Sequence, residues 1–172
     1  MTPRGTKEKL LWVGWFFVIV VWLAMPFSVD KNSPTPWPRL LPTLLHPAFL
    51  SLGLLLMVAG YAGTLACYAA MGDTWRMGIN RKEKNALVTP GPFRFVRHPI
   101  YLFQVVILAA VLFLLPTLLS FIILVIHLLC VLMKATDEES YLLNIHGEEY
   151  RKFLSRTGRL FPKLTKSVSQ SE

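Results

Sequence analysis

Two short charged clusters hold most of the chemistry available to this chain. The first is Arg97-His98-Pro99-Ile100-Tyr101, preceded by the turn Gly91-Pro92-Phe93. The second is Lys134, followed by Asp137-Glu138-Glu139. Two adjacent glutamates facing arginine, histidine and lysine suit a zwitterionic ligand, because its ammonium and its carboxylate would each meet an opposite charge. The glycine turn beside them lets backbone approach a ligand closely. Each cluster also has a plainer reading. Arg97, Pro99 and Tyr101 serve a membrane boundary as inside charge, helix start and belt aromatic. Thr136 could cap a new helix, with Glu139 three residues later closing a capping box. That second reading leaves Glu138 unexplained.

The elements that must position these clusters are apolar. Runs near 99–115 and 117–133 separate them and meet at Pro116. His98 lies eighteen residues before that proline and Lys134 eighteen after it. At about 1.5 Å rise per residue, two antiparallel helices return the chain to its starting height. The clusters are therefore expected side by side at one membrane face.

Composition supports the bilayer setting. The 172 residues are 53% hydrophobic, and only 16% are charged, too few for an ordinary soluble domain. Further apolar runs occupy roughly 10–29 and 44–71. Each of the four is long enough, or nearly so, for a hydrocarbon core of about 30 Å. The expected fold is an all-α membrane protein of about four transmembrane helices, with a C-terminal interfacial helix and both termini cytoplasmic. It forms one domain over 1–172, with two N-terminal spans in 1–71, the loop, hairpin and amphipathic segment in 72–164, and a tail over 165–172. Gly53, Gly60 and Gly63 allow the second span to pack closely on a neighbour.

The net charge of +8 raises the question of nucleic acid. Its distribution answers no. With four spans, sixteen of the eighteen Lys and Arg residues fall on the cytoplasmic side, the positive-inside pattern. Contact with anionic membrane lipids is the expected secondary consequence. The first run reads as an uncleaved anchor, because no small-x-small cleavage site follows it. Cys67 and Cys130 lie within spans and read as packing residues. The histidines and acids show no metal-ligand spacing, and no metal site is expected. His127, in mid-span, is either functional or hydrogen-bonded to a neighbouring helix.

The string Trp75-Arg76-x-Gly78-Ile79, then Leu87-Val88-Thr89-x-Gly91-Pro92-Phe93-Arg94-Phe95-Val96-Arg97-His98-Pro99-x-Tyr101, Glu138-Glu139 and Gly147-Glu148-Glu149-Tyr150, resembles the isoprenylcysteine carboxyl methyltransferase family. It is also similar to the phospholipid N-methyltransferases. The resemblance covers about residues 72–162 and implies an S-adenosylmethionine site in the cytoplasmic half of an inner-membrane or ER-type bilayer. It places Leu87, Val88 and Phe93 at the adenosine, with His98, Pro99, Ile100 and Tyr101 continuing the pocket. It puts Glu138 at the cofactor's polar end, and Arg97, Lys134 and Glu139 in catalytic positions. Lys134 stands where the eukaryotic prenylcysteine enzymes have arginine, and lysine lacks that bidentate fork. The implied acceptor is amphipathic or lipid-like. Two rivals remain at this level: a nicotinamide-dependent sterol or isoprenoid reductase, and a non-enzymatic membrane scaffold.

Overall fold

The computed structural model describes residues 6–29, 39–72 and 87–163. The motif Trp75-Arg76-x-Gly78-Ile79 lies outside them. Among the described residues the chain is all helical: α1 (Thr6–Ser28), α2 (Pro47–Met71), α3 (Pro99–Leu114), α4 (Leu118–His146) and α5 (Glu148–Arg156). No strand occurs among them beyond one isolated parallel bridge, Val96 to Gly158.

Within α1, α2 and α4 lie helices long and apolar enough to cross a membrane. Few of their residues are covered by protein. Leu54, Leu55, Val58 and Leu65 of α2 and Val13, Phe16 and Phe17 of α1 are exposed, as expected where lipid is the solvent. α3 is apolar throughout but has only sixteen residues, about 24 Å of helix. It falls short because Pro99 starts it and the chain turns before Pro116.

Helix ends follow local chemistry. His46 caps α2 through Nδ1, which accepts the Ala48 N–H, and Pro47 takes the first helical position. Thr117 caps α4 by accepting from the Ser120 N–H at 3.0 Å. The Pro116 carbonyl accepts the Leu41 N–H at 2.8 Å, which ties the preceding connection to the tip of the hairpin.

α4 differs from expectation beyond Lys134. It runs unbroken through both glutamates to His146 and ends at Gly147, which has φ +52°. Thr136 caps nothing. Its hydroxyl donates to the Leu132 carbonyl one turn back, as a mid-helix threonine does. The capping-box account of Glu139 therefore fails. The helix continues because Lys134, Asp137, Glu138 and Glu139 form no breaker, and partners from other elements bind the two glutamates.

The bundle packs in two ways. Val18 and Met25 of α1, Leu108 and Val111 of α3 and Ile123 of α4 form one apolar cluster. α2 lies against α3 through glycine. A Cβ at Gly60 would sit 2.5 Å from Ile107, and one at Gly63 would overlap the Phe103 ring. His127 makes no hydrogen bond among the described residues. It packs on Trp15 with ring centroids 5.2 Å apart, so the expected interhelical hydrogen bond is absent.

Gly63→Val is expected to destabilise the protein by on the order of 1–3 kcal/mol through overpacking. Phe103→Leu should recover part of the loss. Thermal unfolding in detergent checks both, and additive losses would mean that the glycine does not seat that ring.

Candidate active site

Three chain segments converge at one end of the α3–α4 hairpin. The first is the loop before α3. Gly91 has φ +60°, and a Cβ there would lie 3.0 Å from Ala70 Cβ, so glycine admits the turn and its approach to α2. Pro92 and Phe93 then form one short helical turn, with Phe93 buried. Val96, Arg97 and His98 follow in extended form and pair with the segment after α5. The Arg97 N–H donates to Gly158 O at 2.8 Å, and the His98 N–H donates to Arg159 O at 3.1 Å.

That partner segment is the second. A Cβ at Gly158 would collide with the Phe161 carbonyl, so only glycine permits the fold-back. The turn delivers Arg159 to the site. The third segment is the late part of α4, which contributes Glu138 and Glu139.

Glu139 is the electrostatic centre. Its Oε1 accepts from Arg97 Nε at 3.0 Å and from Arg159 Nε at 3.0 Å. Its Oε2 accepts from Arg159 Nη2 at 2.6 Å, which makes the Arg159 contact bidentate. Arg97 also donates through Nη1 to the Thr157 carbonyl. Only 9% of the Arg97 side chain and 12% of the Glu139 side chain is exposed, so this pair is far less screened than a surface bridge.

Glu138 is held differently. The Tyr101 hydroxyl donates to its Oε1 at 2.6 Å. His98 lies between the two glutamates, Nδ1 at 3.5 Å from Glu138 and Nε2 at 3.4 Å from Glu139. The imidazole stacks on Tyr101 with centroids 5.6 Å apart. His98 Nε2 is at ion-pair distance but outside hydrogen-bond geometry, and the fully buried Tyr150 hydroxyl also has no hydrogen-bond partner among the described residues. Burial, with the charge of Glu139 adding to it, pushes the Tyr150 phenol up to about 12. It remains a neutral donor at physiological pH.

The structure thus unites most of the expected residues. Arg97, His98, Tyr101, Glu138 and Glu139 form one network. Pro99 and Ile100 open α3 immediately beside it. Leu87, Val88 and Phe93 belong to the approaching loop. Lys134 stands one turn before Glu138 on α4 and makes no ion pair among the described residues. Arg159 is the residue sequence reasoning missed. It was one of several basic residues in the C-terminal stretch, and its only distinction was its place one residue after Gly158.

The family model for isoprenylcysteine carboxyl methyltransferases matches residues 52–144. The chain belongs to that family. The match spans α2, the loop, α3 and nearly all of α4, so it contains both charged clusters and excludes Arg159. No curated protein matches the chain closely. Membership together with three apolar helices makes this an integral membrane protein of the methyltransferase class.

The network predicts a pH response. Burial opposes the His98 imidazolium, but the carboxylates of Glu138 and Glu139 on its two sides outweigh it and raise the titration point above the ordinary 6.5. A raised value stabilises the fold fully below the ordinary one, and the benefit is lost as pH climbs through the raised value. Melting temperature is therefore expected to fall as pH rises from about 6.5 into the alkaline range. His98→Gln should flatten that slope. An unchanged slope in the variant would assign the titration to another group.

Proposed function

We propose that the chain uses S-adenosylmethionine to methylate a lipid-like or otherwise amphipathic acceptor at the cytoplasmic face of a membrane. The observation that carries this reading is the state of Glu138. Its neighbour Glu139 is saturated by two guanidinium groups, whereas Glu138 receives one hydroxyl, has His98 Nδ1 at 3.5 Å and keeps 21% of its side chain exposed. A carboxylate offers about four lone-pair sites, so Glu138 keeps capacity for an ammonium donor. Lys134, one turn away and without an ion pair among the described residues, supplies the complementary positive charge. The buried hydroxyl of Tyr150 is a further donor that such a ligand could use. The residues present therefore fit an amino-acid moiety, and the resemblance assigns the ring system to Phe93 and the Leu87-Val88 backbone.

When bound, the cofactor supplies a methyl group already activated on a sulfonium. The protein's part is then positioning, charge balance and exclusion of water, with little proton transfer required if the acceptor arrives as a carboxylate or thiolate. Glu138 anchors an ammonium. Tyr101 fixes the rotamer of Glu138 through its 2.6 Å hydrogen bond. Lys134 balances an anionic group as a point charge. Arg97 and Glu139, expected from the resemblance to act catalytically, are read instead as the frame of the site, since they bind each other and Arg159. His98 bridges frame and pocket.

In this reading α3 is the fourth span, with Tyr101 anchoring its start at the interface. Both termini then face the cytoplasm, because that topology puts sixteen of eighteen basic residues inside. The acceptor would enter from the lipid side.

Glu138→Gln is expected to weaken S-adenosylhomocysteine binding by about tenfold or more, the cost of losing a charge-assisted hydrogen bond. Helicity should be unchanged. Calorimetry on the purified protein checks this, and wild-type affinity in the variant would remove Glu138 from the cofactor site. Transfer of labelled methyl into lipid extracts, prenylated cysteine and phospholipid amines identifies the acceptor class.

A further inference from the structure

A second polar feature shares no residue with the network around Glu138. Thr89, Arg94, Phe153 and Arg156 line a cleft of about 320 Å³ between the loop before α3 and helix α5. Arg156 lies over the Phe153 ring, its guanidinium carbon 5.6 Å from the centroid. Phe153 itself is buried and gives that cation a rigid floor. Neither arginine is ion-paired among the described residues. Among the described residues no carboxylate lines the cleft. The two acidic residues of α5, Glu148 and Glu149, are at its other end, where Glu148 pairs with Arg151 and Glu149 lies near His146.

Two guanidinium groups and a hydroxyl around a concave space make an anion receptor, and guanidinium favours phosphate through parallel N–H donors. The surroundings identify the source of that phosphate. Phe95 is 60% exposed on the segment that pairs with Gly158, and Phe161, 75% exposed, lies three residues beyond that glycine. Large apolar rings next to unpaired arginines belong at a bilayer boundary, where rings enter the acyl region and cations meet headgroups.

We propose that this cleft binds the phosphate of an anionic phospholipid, with Arg94 and Arg156 as the clamp, Thr89 as an added donor, and Phe95 and Phe161 seated in the membrane beside it. The inference does not depend on the methyl-transfer reading, although Thr89 and Arg94 adjoin Val88 and Phe93 in the chain. A headgroup held there would fix α5 and the Gly158 turn against the bilayer.

The test uses the full chain in a neutral detergent, titrated with phosphatidylglycerol and read by native mass spectrometry. Arg94→Gln with Arg156→Gln is expected to lower apparent affinity about tenfold, and Arg151→Gln with Lys152→Gln, which removes the same charge from outside the cleft, by less than about twofold. Equal losses in the two double variants would reduce the effect to general charge and overturn the site. Competition by inorganic phosphate at the same concentration would overturn the lipid assignment in favour of a soluble anion. Displacement of lipid by S-adenosylhomocysteine would overturn the separation of the cleft from the cofactor pocket. Both arginines are exposed, so the variants should fold, and circular dichroism verifies it.

Discussion

The carboxylate of Glu139 ties three parts of the chain together at one point. It sits late in a long helix, accepts from Arg97 on the loop before α3 and from Arg159 beyond α5. A nearly buried carboxylate is costly unless every lone pair is used, and here cations on both sides repay the cost. The arrangement is also selective. With Glu139 saturated, its neighbour Glu138 is the carboxylate left with room for something else. Adjacent residues of one type thus take different duties because only one of them faces the guanidinium pair.

The backbone prepares this meeting before any side chain acts. Two hydrogen bonds lock residues 97–98 alongside 158–159, in a protein otherwise built from helices. Gly158 makes the fold-back possible, and the arginines on either side of the pairing then point at one target. The frame of the site is therefore a short extended patch closed by a buried ion cluster. α3 and α4 carry that frame at the end of a hairpin whose apolar length lipid can solvate.

Much of this was legible from residue spacing. Pro116 and two arms of equal length were enough to bring the Arg97–Tyr101 cluster to Glu138 and Glu139, because helix rise is nearly invariant. The apolar runs gave the helices for the same reason. Other features were hidden. Charged residues after Lys134 suggested a new element, yet α4 continues, since charge does not break a helix when partners neutralise it. Arg159 was indistinguishable from nearby basic residues because the turn that aims it depends on a close backbone approach at Gly158. His127 invited a hydrogen bond and instead found an aromatic face, as mid-helix packing against α1 was not readable from α4 alone.

The unbroken course of α4 has a mechanical consequence. From Leu118 to Glu138 it climbs about 30 Å, roughly one hydrocarbon thickness. The helix therefore acts as a gauge of fixed length between the far end of the hairpin and the carboxylate. In a thinner bilayer Glu138 would ride out into the headgroups, and in a thicker one it would sink toward the acyl chains. The depth at which a lipid-borne group can reach it is thus set jointly by the protein and by the membrane around it.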